Sequence, residues 1–238
     1  CRRLPADQES MRILHITKYL PRFYGGIEYV TQQMTTAALK AGFQVDLYGI
    51  DPGSQHDRFE IVGNQIGLES LFRLGPIEFS PRYFEDLNFD SYDVIHIHLP
   101  HPLAELNMLW RMARLSKARV VPVFHAPITR YPLVSHLYYK MVQRPLLQRC
   151  PLILSASREI LDNHPWYRPF RDKVSITPFP TEDPGLPSPE RFECQRELLA
   201  VGRLVEYKGF DYLIKAFCRL PGWKLNIVGE GPERAYLC

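Results

Sequence analysis

Arg203 and Lys208, in the stretch VGRLVEYKGF, are the residues best suited by type and spacing to hold an anion. They stand five apart in the turn after a short apolar run, Leu198 to Val201. Arginine offers a planar fork of donors and lysine a mobile point charge, a combination that suits a diphosphate. Solvated charges after a strand would read the same way. Two glycine turns could serve a similar end: Gly25-Gly26, between the first apolar run and the first helical pattern, and Gly229 with Gly231 in GEGP. In a parallel α/β sheet such turns lie at the carboxyl edge, where ligands bind. Glycine there lets a phosphate or sugar approach the backbone, and the N–H groups at a helix start favour an anion. The full G-x-G-x-x-G fingerprint is absent, so a plain tight turn explains each glycine pair as well.

Histidines form the second group. His96 and His98 are two apart in a strand-like run and so share a face, and His101 and His125 follow. H-x-H at a strand end occurs in metal-dependent hydrolases, but the usual carboxylate and further histidine partners are not evident, and no metal is expected. His125 follows the apolar run Val120 to Phe124 at its carboxyl edge. There it can hydrogen-bond a sugar hydroxyl or simply satisfy a backbone carbonyl. Glu28, Asp51 and Glu182 are the acids nearest the inferred cleft, yet no carboxylate pair with a hydrolase's spacing can be named.

The elements that must position these residues alternate between short apolar runs and helical patterns. Strands are expected at Arg12 to Ile16, Phe43 to Tyr48, Tyr92 to His98, Val120 to Phe124 and Leu152 to Ala156. Helices are expected with Ile27, Val30, Met34, Ala37 and Ala41 on one inward face, then at 102–115, 133–149 and 157–163. Residues 50–90 show no dominant period. Strands apolar on both faces and alternating with helices point to a parallel sheet covered on both sides. Residues 177–196 hold five prolines and a glycine and read as a linker. Beyond it, Leu198 to Val201, a helix bearing Phe210, Leu213, Ile214 and Phe217, and Trp223 to Val228 make one more β-α-β unit. The expected organisation is an extension at 1–10, a complete domain at 11–176, the linker at 177–196, and the first part of a second domain at 197–238.

Bulk properties narrow the classes. The 238 residues are 45% hydrophobic, 12% aromatic and 23% charged, which argues against disorder. A net charge of +3, from 29 basic against 26 acidic residues, gives no reason to expect a nucleic-acid partner. No twelve consecutive residues are free of Asp, Glu, Lys and Arg, so a membrane-spanning helix is not expected. The five cysteines, Cys1, Cys150, Cys194, Cys218 and Cys238, are scattered and suggest reduced thiols in a cytoplasmic protein. The first ten residues are too polar for a signal peptide. Arg111, Arg114, Lys117 and Arg119 near one helix end, and Lys140, Arg144 and Arg149 near another, could meet anionic lipid on the inner face of a plasma membrane. A solvated helix face accounts for them equally.

Taken together, MRILHITKYLPRFYGGIEYVTQQMTTAALKAGFQVDLYG, DVIHIHLPHPLAELNML, VVPVFHAPITR, ELLAVGRLVEYKGFDYLIKAF and WKLNIVGEGPERAYL resemble the retaining glycosyltransferases of family 4. The resemblance covers about residues 11–238 and fits 50–90 loosely. It implies an α/β fold of the GT-B type: one complete Rossmann-like, doubly wound parallel-sheet domain plus the first part of a second. It also implies hexose transfer with retention, from a nucleotide-diphosphate sugar to a glycan or lipid-linked acceptor, without metal or other cofactor, in making cell-surface polysaccharide or lipopolysaccharide. By position, Gly26 matches the glycine lying against the donor phosphates, His125 a histidine near the donor sugar, and Arg203 and Lys208 the pair that holds the diphosphate. The family's front-face route lets the leaving phosphate take the acceptor's proton, so no protein base is required. Two departures stand out: Pro178 is followed by Phe179-Pro180-Thr181 instead of a Pro-Asn-Gly-Val-Asp-like stretch, and the family's Glu-x7-Glu segment is not reached. A non-catalytic fragment that binds a nucleotide sugar or phosphate is the alternative. A metal-dependent hydrolase using His96, His98 and His125 is a third.

Overall fold

The computed structural model describes residues 10–21, 25–51, 62–74, 77–84, 87–128, 132–181, 185 and 196–237. Residues 1–9, Cys194, Cys238, Glu182 and most of the proline-rich stretch, named above, lie outside the described residues. The chain divides into two units, Cys1–Glu182 and Asp183–Cys238.

The first unit is built on strands β1 (Arg12–Tyr19), β2 (Gln44–Ile50), β3 (Asn64–Leu68), β6 (Val94–Leu99), β7 (Arg119–Phe124), β8 (Ile153–Ser155) and β9 (Val174–Ile176). They form one sheet in the order β3-β2-β1-β6-β7-β8-β9. Every neighbouring pair is parallel. Strand order reverses between β1 and β6, so the loops after these two strands leave in opposite directions and open a crevice at their carboxyl ends. A small antiparallel hairpin, β4 (Phe72–Leu74) and β5 (Ile77–Phe79), stands apart from this sheet.

Alternation along the strands gives the sheet two unlike faces. Leu14, Ile16, Ile95, Ile97, Leu99, Val120 and Phe124 join Met108, Leu146, Leu147, Tyr167 and Phe170 in one apolar core. Met108 belongs to α2 (Pro102–Arg111), and Leu146 and Leu147 to α4 (Arg144–Arg149). A π turn, Tyr139–Gln143, joins α4 to α3 (Pro132–Tyr138), so 132–149 run as one irregular helix. The other face carries Ile13, Val45, Leu47 and Val123 with His15, Thr17 and His98 among them, all buried. It is covered by α1 (Gly26–Lys40).

Helix α1 departs from expectation. Its buried residues are Glu28, Val30, Thr31, Gln33 and Thr35. Of the stripe expected inside, only Val30 is buried; Ile27 and Met34 are half-buried, and Ala37 and Ala41 are exposed. The helix lies over the His15 and His98 rings as well as apolar side chains, and Thr31 of its polar stripe meets His98. Strands β3 and β9 and the hairpin were not expected individually, because runs of three to five residues are too short for a period to show. Helix α5 (Glu159–Asp162) follows β8.

In the second unit β10 (Glu197–Val201) and β11 (Lys224–Val228) pair in parallel, with α6 (Phe210–Phe217) between them in sequence and α7 (Arg234–Leu237) after. Leu204 and Phe210 are its buried apolar residues among those described. Gly209, at φ 66°, turns the chain into α6 through the left-handed region that glycine tolerates. Of the two thiols described, Cys150 is buried and Cys218 exposed, and both are free.

Candidate functional site

Parallel register sets His15 of β1 beside His96 of β6, both on the α1 side of the sheet. Their rings meet edge-on at 4.8 Å. One alternation further, His98 Nε2 lies 3.0 Å from His15 Nδ1. His98 Nδ1 lies 2.9 Å from Nε2 of His125, the residue just past β7. Three histidines on three adjacent strands are thus linked ring to ring across the switch point. Thr31 of α1 donates its hydroxyl to the Ile27 carbonyl at 2.8 Å. Its oxygen also lies 3.3 Å from His98 Nδ1. His15 and His98 are buried, while His125 is half-buried at the carboxyl edge. The His125 ring stacks on His98 and rests against Phe179, with centroids 5.2 and 4.6 Å away.

Burial, with the neighbouring rings second, holds His15 and His98 well below the usual histidine range. Burial alone brings His96 and His125 down to about 4. All four are therefore neutral at pH 7, each with one N–H and one lone pair. Among the described residues no group of three or more His, Cys, Asp or Glu is placed to hold a metal ion. Of the histidines raised above as metal ligands, His98 and His125 are bonded to one another, while the buried Nδ1 of His96 has no hydrogen-bond partner among the described residues. His15 escaped the sequence reading because nothing in MRILHITKY shows that β1 will lie against β6.

The loop after β1 brings Gly25 and Gly26 to the same edge. Gly25 caps α1 with extended backbone, and Gly26 is its first residue. A Cβ on Gly26 would meet nothing within 4 Å, whereas one on Gly25 would run into the Glu28 carboxylate. Glu28 is buried, and its carboxylate accepts its own backbone N–H; burial raises its pKa, against that hydrogen bond and Lys18. The helix start therefore already faces an acid of its own, and its open side is the one beside Gly26. Lys18 is lowered by burial, opposed by Glu78. The Tyr19 hydroxyl donates to Glu78 at 2.5 Å, which ties the hairpin to the end of β1. Asp51 follows β2 and is half-buried, with its N–H on the Leu68 carbonyl at 2.9 Å.

His101 does structural work. It is the N-cap of α2, accepting the Ala104 N–H on Nδ1 at 3.4 Å, and its Nε2 meets the Tyr83 hydroxyl at 2.8 Å.

In the second unit Arg203 and Lys208 both lie in the turn at the carboxyl edge of β10. Both are exposed, and among the described residues neither is in an ion pair. Lys208 Nζ lies 5.6 Å over the Tyr207 ring. Gly229 and Gly231 follow β11 along the same edge. A Cβ on Gly229 would collide with the Gly202 carbonyl and one on Gly231 with the Leu204 carbonyl. Packing of the chain on itself therefore requires glycine at both places, whatever binds there.

The basic residues do not form one free row. Arg111 donates to Asn107 at 2.9 Å and to the Phe84 carbonyl at 3.1 Å. Arg114 covers the Trp110 ring at 4.3 Å, and Lys117 pairs with Asp93 at 2.9 Å. Arg149 donates to the Pro145 carbonyl at 3.1 Å. Lys140 and Arg144 are exposed beside Leu133, Leu137 and Met141 on the irregular helix. No helix among the described residues is long and apolar enough to cross a membrane.

Comparison with known proteins agrees with this arrangement. Residues 24–180 match the family described as Glycosyltransferase Family 4, and residues 187–238 match Glycosyl transferases group 1. The chain is 29% identical to the O-antigen chain mannosyltransferase C of Escherichia coli over 249 aligned residues, which cover 94% of this chain and 62% of that protein. In structure it is similar to the lipopolysaccharide outer core galactosyltransferase WaaB in its apo form, with a TM-score of 0.60, 17% identity, and coverage of 95% of this chain and 63% of that one. An α-glucosyltransferase solved with UDP and DNA gives 0.56 at 15% identity, covering 96% of this chain and 58% of that one. The chain thus spans about three fifths of the length of these relatives. A switch-point crevice in a seven-stranded parallel sheet, followed by a β-α-β unit with its own basic turn, is the GT-B plan. With the first family match covering well over half of its length, this chain belongs to glycosyltransferase family 4.

Proposed function

We propose that this chain forms the first domain and the opening of the second in an enzyme that transfers a hexose from a nucleotide-diphosphate sugar to a glycan or lipid-linked acceptor, with retention, in making lipopolysaccharide or a related cell-surface glycan. The observation that carries the reading is the match of both parts of the chain to glycosyltransferase families, each part presenting polar groups at the carboxyl edge of its sheet. The Escherichia coli relative's name makes mannose the first sugar to try.

In this reading Arg203 and Lys208 hold the diphosphate and His125 hydrogen-bonds the sugar, with Gly26 giving the phosphates access to the helix start. The bond from the anomeric carbon to the diphosphate breaks while the acceptor oxygen bonds to the same face of that carbon. The acceptor's proton passes to a diphosphate oxygen. Arg203 and Lys208 then face charge that grows as the leaving group departs, so their effect falls on the transition state. No metal has a part in it.

The exposed apolar residues Leu133, Leu137 and Met141, with Lys140 and Arg144 beside them, suit an anionic membrane surface on the cytoplasmic side, where a lipid-linked acceptor would be met. A thermal-shift panel of UDP-, GDP- and ADP-sugars, GDP-mannose included, tests the donor. Product NMR then reads the anomeric configuration. Stabilisation without turnover in the full-length protein would favour a non-catalytic nucleotide-sugar binder, and an inverted product would remove the retaining route.

A further inference from the structure

His15, His98 and His125 are joined by two N···N contacts of 3.0 and 2.9 Å. Each contact uses one hydrogen, and every ring is neutral, so each has one hydrogen to give. His98 is the middle ring and uses both nitrogens. If its hydrogen is on Nδ1, it donates to His125 Nε2, which leaves the His125 hydrogen on Nδ1. Its own Nε2 then accepts from His15, whose hydrogen must also be on Nδ1. If instead the His98 hydrogen is on Nε2, it donates to His15 Nδ1, and the same logic puts the hydrogens of all three rings on Nε2. No mixed arrangement satisfies both contacts. Two contacts in a buried site are costly to leave unmade.

We infer that His15, His98 and His125 form a tautomer-coupled relay in which His98 is a positioning residue: it fixes whether His125 offers the carboxyl edge an N–H or a lone pair. Thr31 supports the middle ring from the helix side. Its hydrogen is taken by the Ile27 carbonyl, so toward His98 its oxygen only accepts. An oxygen-rich ligand repels a lone pair and attracts an N–H, so an oxyanion or sugar hydroxyl at His125 selects the form with all three hydrogens on Nδ1. This last step rests on the donor-site reading above; the coupling itself does not.

The test is NMR of the 238-residue chain with nitrogen-15-labelled histidine, read first without ligand and then with UDP and with GDP. Without ligand, His15, His98 and His125 should show one common tautomer, with couplings across both N–H···N contacts. Mixed tautomers, or a doubly protonated His98 at pH 7.5, would overturn the relay. His98→Asn places a donor near the position of Nδ1 and should hold the His125 hydrogen on Nδ1. His98→Leu, checked for folding by circular dichroism, should release His125 toward the Nε2 form that free imidazole favours. The same His125 tautomer in folded His98→Asn and folded His98→Leu would show that His98 does not position it. With UDP or GDP bound, all three hydrogens should sit on Nδ1, and binding with the opposite tautomer would overturn the selection. No binding of either would count against the donor site, while the ligand-free spectra still decide the relay.

Discussion

Glu105 accepts the backbone N–H of His101 on Oε1 at 2.7 Å from a position with no solvent exposure. Burial lifts its pKa to about 7, while the nearby Tyr138 hydroxyl, the His101 N–H and the Gln143 amide pull the other way. A carboxyl whose folded value exceeds its unfolded 4.5 stabilises the fold fully below pH 4.5, and that contribution is lost as pH rises through about 7. The whole shift corresponds to roughly 3 kcal/mol. Urea unfolding should therefore show the chain losing stability between pH 5 and pH 8 on this account. Glu105→Gln keeps an acceptor for His101 and cannot ionise, so it should flatten that loss. Equal slopes for the two proteins would mean that Glu105 is not the group responsible.

The Thr35 hydroxyl is buried in α1 with no hydrogen-bond partner among the described residues. Valine has the same shape without the hydroxyl, so Thr35→Val removes an unsatisfied group and leaves no cavity. The melting temperature should rise, by an amount equivalent to about 1 kcal/mol. A fall would show that the hydroxyl is satisfied in solution.

Arg203→Ala and Lys208→Ala should each lower turnover of a nucleotide-sugar donor by ~10²–10³ in the full-length transferase. Both side chains are exposed, so the fold should survive. Arg203→Lys should fail as well, since a point charge does not replace a planar fork. Folded variants with near-normal turnover would make these residues solvated charges and nothing more.

Vesicles containing anionic lipid should sediment the chain, and neutral vesicles should not. Lys140→Glu with Arg144→Glu should abolish sedimentation, at ~1 kcal/mol for each basic residue lost and more for the reversal. Leu137→Ser should weaken it without changing its salt dependence. Variants of Lys117, already paired with Asp93, should sediment like the unaltered chain. Sedimentation that ignores both charge reversals would remove this face from consideration.

The parallel sheet was legible because buried parallel strands leave apolar runs, as in Val120 to Phe124. The positions of Gly25, Gly26 and His125 at strand ends followed from that rhythm. What could not be read was adjacency. His15 and His98 are 83 positions apart in sequence, and only the crossover that lays β6 beside β1 brings them together. The inward face of α1 was misjudged for the same reason. Apolar periodicity assumes an apolar neighbour, and this helix covers His15, Thr17 and His98 among the apolar residues of the sheet. Gly229 and Gly231 invite a ligand in sequence, but only the structure shows that the carbonyls of Gly202 and Leu204 require glycine at both places whatever binds there.

The polar underside of α1 also bears on how the protein comes apart. Glu28, Thr31, Gln33 and Thr35 leave Val30 as its one fully buried apolar side chain. Lifting this helix uncovers its polar stripe and, beneath it, Ile13, Val45, Leu47 and Val123, a smaller apolar set than the core on the other face of the sheet. The denaturant sensitivity of any opening scales with the surface it uncovers. Native-state hydrogen exchange should therefore find the α1 amides responding to urea less steeply than global unfolding. The amides of α2, over Met108 and the apolar core, should respond steeply. The helix that borders the crevice would then be a separate cooperative unit, free to open while the sheet beneath it stays folded.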